Sequence, residues 1–122
     1  MSAILKSSLL GLLALTVVFG ISGPARVTAA EDLAEFAQCI GESGATFYGA
    51  HWCPYCRKQM AAFGDHADRL PYRECYRAGS RDRLSGCEHV QSYPTWEFAD
   101  GTVRTGMLSF EALSALTDCE LP

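Results

Sequence analysis

The 122-residue chain has no excess of basic residues: ten Lys and Arg stand against fourteen Asp and Glu, a formal net charge of −4. That balance gives no electrostatic footprint for nucleic acid or for anionic lipid headgroups, so no nucleic-acid partner is expected. Internal repeats, low-complexity tracts and linker-like stretches are absent after Glu31, which leaves a single domain. The longest uncharged apolar run, Leu9 to Ile21, is shorter than the ~20 residues a membrane span needs.

That run has the pattern of a secretory leader instead. Lys6 supplies a positive start, Gly23 and Pro24 break any helix, and Val27-Thr28-Ala29-Ala30 places small residues at the cleavage positions. Residues 1–30 are read as a signal peptide cut near Ala29 or Ala30, and residues 31–122 as the domain. An uncleaved amino-terminal anchor is the alternative, and it too puts the domain outside the cytoplasm, in a periplasm or an equivalent lumen. Removing Lys6 and Arg26 leaves eight basic residues against fourteen acidic, a net of −6. Simple solubility accounts for it.

Cys39, Cys53, Cys56, Cys75, Cys87 and Cys119 all follow the leader. An even number of cysteines in a short exported chain points to disulfides in an oxidising compartment. A domain of roughly 90 residues is small enough to gain from such staples.

Leu33, Phe36, Ala37 and Ile40 recur at helical spacing, with Gly44 as a stop. Thr46 to Ala50 reads as a buried strand. From Pro54 to about Leu70 the pattern is again helical, with Met60, Phe63 and Ala67 on one stripe and Pro71 ending it. Tyr72 to Tyr76 alternates like a strand, Ala78 to Asp82 is a polar loop, and Arg83 to His89 is read as a short helix. Thr95 to Phe98 and Val103 to Thr105 flank Asp100-Gly101, a hairpin signal. Ser109 caps a last helix that carries Phe110, Leu113 and Leu116 inward. A βαβ unit followed by a hairpin and a helix is the order of a thioredoxin fold: α/β, with a central mixed sheet of about four strands flanked by helices.

Cys53-Pro54-Tyr55-Cys56 falls where the first strand hands over to the helix. A sulfur at a helix N-terminus meets the positive end of the dipole and unpaired amide N–H groups, which favour a thiolate. Pro54 suits the first turn, where its missing N–H costs nothing. Such a pair serves disulfide exchange, or supplies half of a zinc site whose other ligands would come from Cys75, Cys87 or His89. The strand-to-helix placement and the oxidising compartment favour exchange, with no metal and no cofactor. A secreted Cys/His metal module and a stapled binding domain without redox turnover are the alternatives.

Tyr93-Pro94 immediately precedes a strand, where a trans proline would cost a ladder donor, and a cis Tyr93–Pro94 bond facing the cysteines is expected. His51, two residues before Cys53, would favour its thiolate when protonated, or is a loop histidine. Trp52 shields the sulfur and offers a surface to substrate, or simply packs. Arg57 and Lys58 add positive charge one turn away on what is also an ordinary solvated face. His66 and His89 read as surface residues.

The segments Phe47 to Cys56, Leu70 to Cys75 and Ser92-Tyr93-Pro94-Thr95-Trp96 resemble the thioredoxin-like domain fused to bacterial vitamin K epoxide reductase homologues, over about Leu33 to Thr117. The resemblance implies that Cys53 and Cys56 are the exchanging pair, that Tyr93-Pro94 is the cis-proline element, and that Cys75–Cys87 is a second, structural cystine. Cys39 and Cys119 then remain for each other. It also implies two kinds of partner: client protein thiols or disulfides, and a membrane-embedded reductase of the vitamin K epoxide reductase type. Two departures stand out, the lack of a multi-helix membrane domain and a Pro-Tyr spacer where Pro-His is frequent. Cys-Pro-Tyr-Cys also occurs in glutaredoxins, from which the leader and the Ser-Tyr-Pro-Thr-Trp element separate this chain.

Overall fold

The computed structural model describes residues 28–122 together with Gly20 and Gly23. The leader expected at Met1 to Ala30 lies outside them, apart from those two glycines and its last three residues. Helix α1 spans Ala29–Glu42. Thr28 caps it reciprocally: its hydroxyl accepts from the Glu31 N–H at 3.3 Å, and its own N–H donates to the Glu31 carboxylate at 2.7 Å. This cap straddles the expected cleavage position. No helix among the described residues is long and apolar enough to cross a membrane.

The chain continues through β1 (Thr46–Gly49), α2 (Pro54–Ala61), a 3-10 helix (Gly64–Arg69), β2 (Tyr72–Glu74), β3 (Thr95–Glu97), β4 (Val103–Thr105) and α3 (Phe110–Thr117). The strands form one sheet in the order β2-β1-β3-β4. β1 runs parallel to β2 and antiparallel to β3, and β3 pairs antiparallel with β4. This four-strand mixed sheet flanked by helices fits a thioredoxin-like fold.

Register decides which residues meet. Phe47 lies opposite Tyr72 on one side and Trp96 on the other. Its ring stacks on Trp96 at 4.5 Å and meets Tyr72 edge-on at 5.1 Å. Beneath them Phe36 of α1, Phe63 after α2 and Phe110 of α3 bring the helical elements together, with centroids 4.9–6.0 Å apart. Each buried ring of this kind contributes roughly 1.5–3 kcal/mol by area. Tyr48 points to the opposite face and packs with Cys75, Cys87 and Val90 in a second, smaller cluster.

Three local readings are corrected. The helix expected from Pro54 to Leu70 is two pieces, because Gly64 takes a φ of +53°, outside right-handed helix, and the chain restarts as a 3-10 helix. The second strand stops at Glu74, and Tyr76 instead makes an isolated antiparallel bridge with Arg83. That bridge also removes the helix expected over Arg83 to His89. The Leu84 N–H donates to the Cys75 carbonyl at 2.8 Å, so the segment folds back on β2 rather than coiling. The β3–β4 hairpin turns through Ala99-Asp100-Gly101: the Phe98 and Thr102 backbones pair across it, and Gly101 alone takes a positive φ.

Two disulfides close the frame. Cys39 of α1 is bonded to Cys119 beyond α3, and Cys75 to Cys87 across the folded-back loop, with Cα separations of 5.8 and 5.6 Å.

Candidate active site

Cys53 is the N-cap of α2, with extended backbone (φ −83°, ψ 117°). Its sulfur accepts the backbone N–H of Cys56 at 3.3 Å, which satisfies one of the donors a helix start leaves open. Pro54 occupies the first turn and donates nothing, as that position allows. On its other side the Cys53 thiol meets the carbonyl of Tyr93 at 3.6 Å. The Tyr93–Pro94 peptide bond is cis. The two thiols are free, and they are 4% and 1% exposed for Cys53 and Cys56 respectively.

The sulfurs differ in what they can do. Burial pushes the Cys56 thiol up to about 12, helped by its hydrogen bond with Cys53 and by the charge of Glu74, with the Ala50 backbone opposing. Near neutral pH Cys56 therefore holds its proton. Cys53 faces the loop around the cis proline and is the sulfur from which exchange with another polypeptide can start, while Cys56 is placed to close or open the pair from inside. Cys75 and Cys87 are spent on one another, so the zinc set that would have drawn on them is not assembled.

No family model matches the chain. It is similar to thiol-disulfide oxidoreductase LTO1 of Arabidopsis thaliana, at 32% identity over 91 residues, covering 70% of this chain and 24% of that protein. The likeness supports a thioredoxin-like redox domain. The chain spans about a quarter of the relative's length.

Next to Cys53 and Cys56, His51 is tied to Glu74. Its backbone N–H donates to Glu74 Oε1 at 3.1 Å, and its ring Nδ1 lies 3.5 Å from the same oxygen. Trp52 is half-buried and packs edge-on to Tyr76 (5.2 Å) and Tyr93 (6.1 Å). Tyr55 is 59% exposed, with Lys58 Nζ 5.2 Å from its ring centre. Arg57 reaches back to the His51 carbonyl at 2.9 Å, bracing the strand-to-helix turn.

Two contributors escape a sequence reading. Glu74, at the end of β2, accepts from the His51 and Tyr76 N–H groups through Oε1 and from the Tyr72 hydroxyl at 2.8 Å through Oε2. The Tyr72 phenol is raised, by burial first and then by this carboxylate. Its ring crosses β1 at Gly49, where a Cβ would stand 2.3 Å from Tyr72 Cε2, so only glycine admits the arrangement. The other is Gln59, fully buried on α2. Its amide donates to the Leu108 carbonyl at 3.2 Å and accepts the Leu108 N–H at 2.7 Å. Because the Gly106 N–H donates to the Pro94 carbonyl at 2.8 Å, this clamp ties α2 to the proline loop through one short segment. Its place three residues after Cys56 and four before Phe63, on the inward face, was the available signal.

Proposed function

We propose that this protein is an exported thiol-disulfide oxidoreductase that exchanges a Cys53–Cys56 disulfide with client proteins, in the direction of oxidative folding. A membrane-embedded partner of the vitamin K epoxide reductase type restores the disulfide. Residues 1–30 act as its leader in this reading. The observation that carries it is the asymmetric pair: Cys53 at the helix N-cap against the carbonyl that precedes cis Pro94, and Cys56 held as a thiol behind it. The reaction class printed in the relative's name supports it, and the motif resemblance supplies the partner.

In the oxidising direction a client thiolate attacks Sγ of Cys53 in the disulfide. The S–S bond breaks, and Cys56 leaves and takes up a proton, as its raised affinity for protons favours. A second client thiolate then attacks the client sulfur of the mixed disulfide and releases Cys53. The client loses two electrons and two protons, the pair gains them, and the membrane partner removes them again. In the mixed disulfide the client backbone lies along the Tyr93 carbonyl as an added extended segment.

The test is oxidation of a dithiol peptide by the oxidised protein, followed together with the reduction potential of the pair. Oxidation that vanishes in Cys53→Ser, with a potential well above thioredoxin's value of about −270 mV, is the expected result. A potential at or below that value would reverse the direction, and undiminished exchange by Cys53→Ser would remove the reading altogether.

A further inference from the structure

The loop between Cys75 and Cys87 is built rather than slack. The cystine closes its base, Tyr76 bridges Arg83, the Arg77 N–H donates to the Asp82 carbonyl at 2.8 Å, and Leu84 bonds back to Cys75. It leans on the redox site through aromatic contacts: Tyr76 meets Trp52 at 5.2 Å and Tyr93 at 5.6 Å. From this base the guanidinium of Arg81 lies over the Trp52 ring, 4.6 Å from its centre, one residue from Cys53. Arg83 lies over Tyr76 at 5.8 Å and bonds its hydroxyl at 3.4 Å.

The nearby carboxylates hydrogen-bond elsewhere, and of them Glu88 adds its charge at Arg83, not at Arg81. Asp82 pairs with Arg77 at 3.9 Å, Glu74 is held by His51, Tyr72 and Tyr76, and Glu88 accepts the Gly86 N–H at 2.7 Å. Among the described residues none lies within ion-pair distance of Arg81, Arg83, Arg57 or Lys58. An acidic chain thus presents Arg81, without an ion-pair partner among the described residues and fixed on an aromatic platform one residue along from its reactive sulfur. The uncompensated charge is complementary to one kind of occupant.

We propose that the Arg81–Trp52 lip recognises acidic polypeptide, so that the protein exchanges fastest with cysteines flanked by Asp or Glu. This rests on the exchange reading and adds selectivity to it. The free indole N–H of Trp52, buried without a hydrogen-bond partner among the described residues, is a donor such a segment can engage if the ring shifts.

The experiment compares two dithiol peptides that differ only in Asp or Asn beside the cysteines, with rate constants expressed per thiolate. At about 10 mM salt the Debye length is ~30 Å, and the acidic peptide is expected to react about three- to tenfold faster, an advantage that fades at high salt. Arg81→Gln removes the advantage, Arg81→Glu reverses it and Arg81→Lys keeps much of it, all with the neutral peptide's rate unchanged. Equal rates for the two peptides, or an Arg81 variant that slows both alike, overturn the proposal while leaving exchange intact. If neither peptide exchanges, the functional reading fails. The lip is then decided by titrating a Cys→Ser acidic peptide against tryptophan fluorescence: saturable, Arg81-dependent quenching supports it, and none overturns it.

Discussion

Two buried cysteine pairs in this molecule have opposite fates. Cys75 and Cys87 are wholly buried in the small cluster with Tyr48 and Val90 and are bonded to each other. Cys53 and Cys56 are almost as buried, yet both are free thiols. Burial therefore does not separate a bonded pair of sulfurs from a free one. Setting does: a helix N-cap, a carbonyl beside a cis proline, and a partner whose proton is held by its surroundings.

The largest effect that would break this contrast is on exchange itself. Cys53→Ser is expected to lower oxidation of a neutral dithiol peptide to the uncatalysed level with the fold retained, since serine also caps a helix. The double variant Cys75→Ala/Cys87→Ala should keep most of that rate. Comparable losses in the two proteins would erase the distinction.

Stability should rank in another order. The Cys39–Cys119 bridge spans 80 residues and Cys75–Cys87 spans 12. In the chain-entropy model they stabilise by up to about 4.5 and about 3 kcal/mol respectively. Urea unfolding of the two double-alanine variants measures the difference, and a larger loss from the short bridge would show that local packing outweighs loop closure. Smaller still is the Gln59 clamp. Gln59→Leu leaves the Leu108 N–H and carbonyl unpaired, at a cost of about 1–3 kcal/mol. Slower exchange should accompany it if the clamp positions the proline loop, and unfolding curves alongside rates separate the two effects.

What could be read from the sequence follows the range of the interactions. The α1, β1 and α3 segments were legible because hydrophobic spacing and local caps such as Ser109 act within a few residues. Gly64 is not legible as a break because the helical stripe of Met60, Phe63 and Ala67 runs across it, and its positive φ shows only in the folded chain. The Arg83 to His89 segment misled for the opposite reason: its conformation is imposed by Tyr76 and Cys75, which no local pattern displays. The same holds at the site. Cys53, Cys56 and Tyr93-Pro94 announce themselves by motif, whereas Gln59 meets Leu108 across 49 residues and Glu74 reaches His51 across 23. His51 drew attention by nearness to Cys53, but Glu74 holds its ring.

Glu74 also offers the finest way to sharpen the contrast, through the proton on Cys56. Its negative charge acts in the same direction as burial, the larger cause, to hold that thiol protonated. In a Cys53→Ser protein, which loses the Cys53 contribution and keeps burial and Glu74, alkylation of Cys56 should still rise only above the ordinary thiol range. Adding Glu74→Gln should move its midpoint downward by a fraction of a pH unit. Stability follows with a definite sign. A thiol whose folded value is raised from about 9.0 to about 12 favours the fold fully below the lower value and loses that contribution as pH climbs towards the upper one. Reduced protein should thus lose stability from about pH 9 upward relative to oxidised protein, whose Cys56 has no proton to release. An alkylation midpoint in the ordinary range, or parallel alkaline melting of the two redox forms, would mean that Cys56 is not held as a thiol and would leave the two sulfurs of the pair chemically alike.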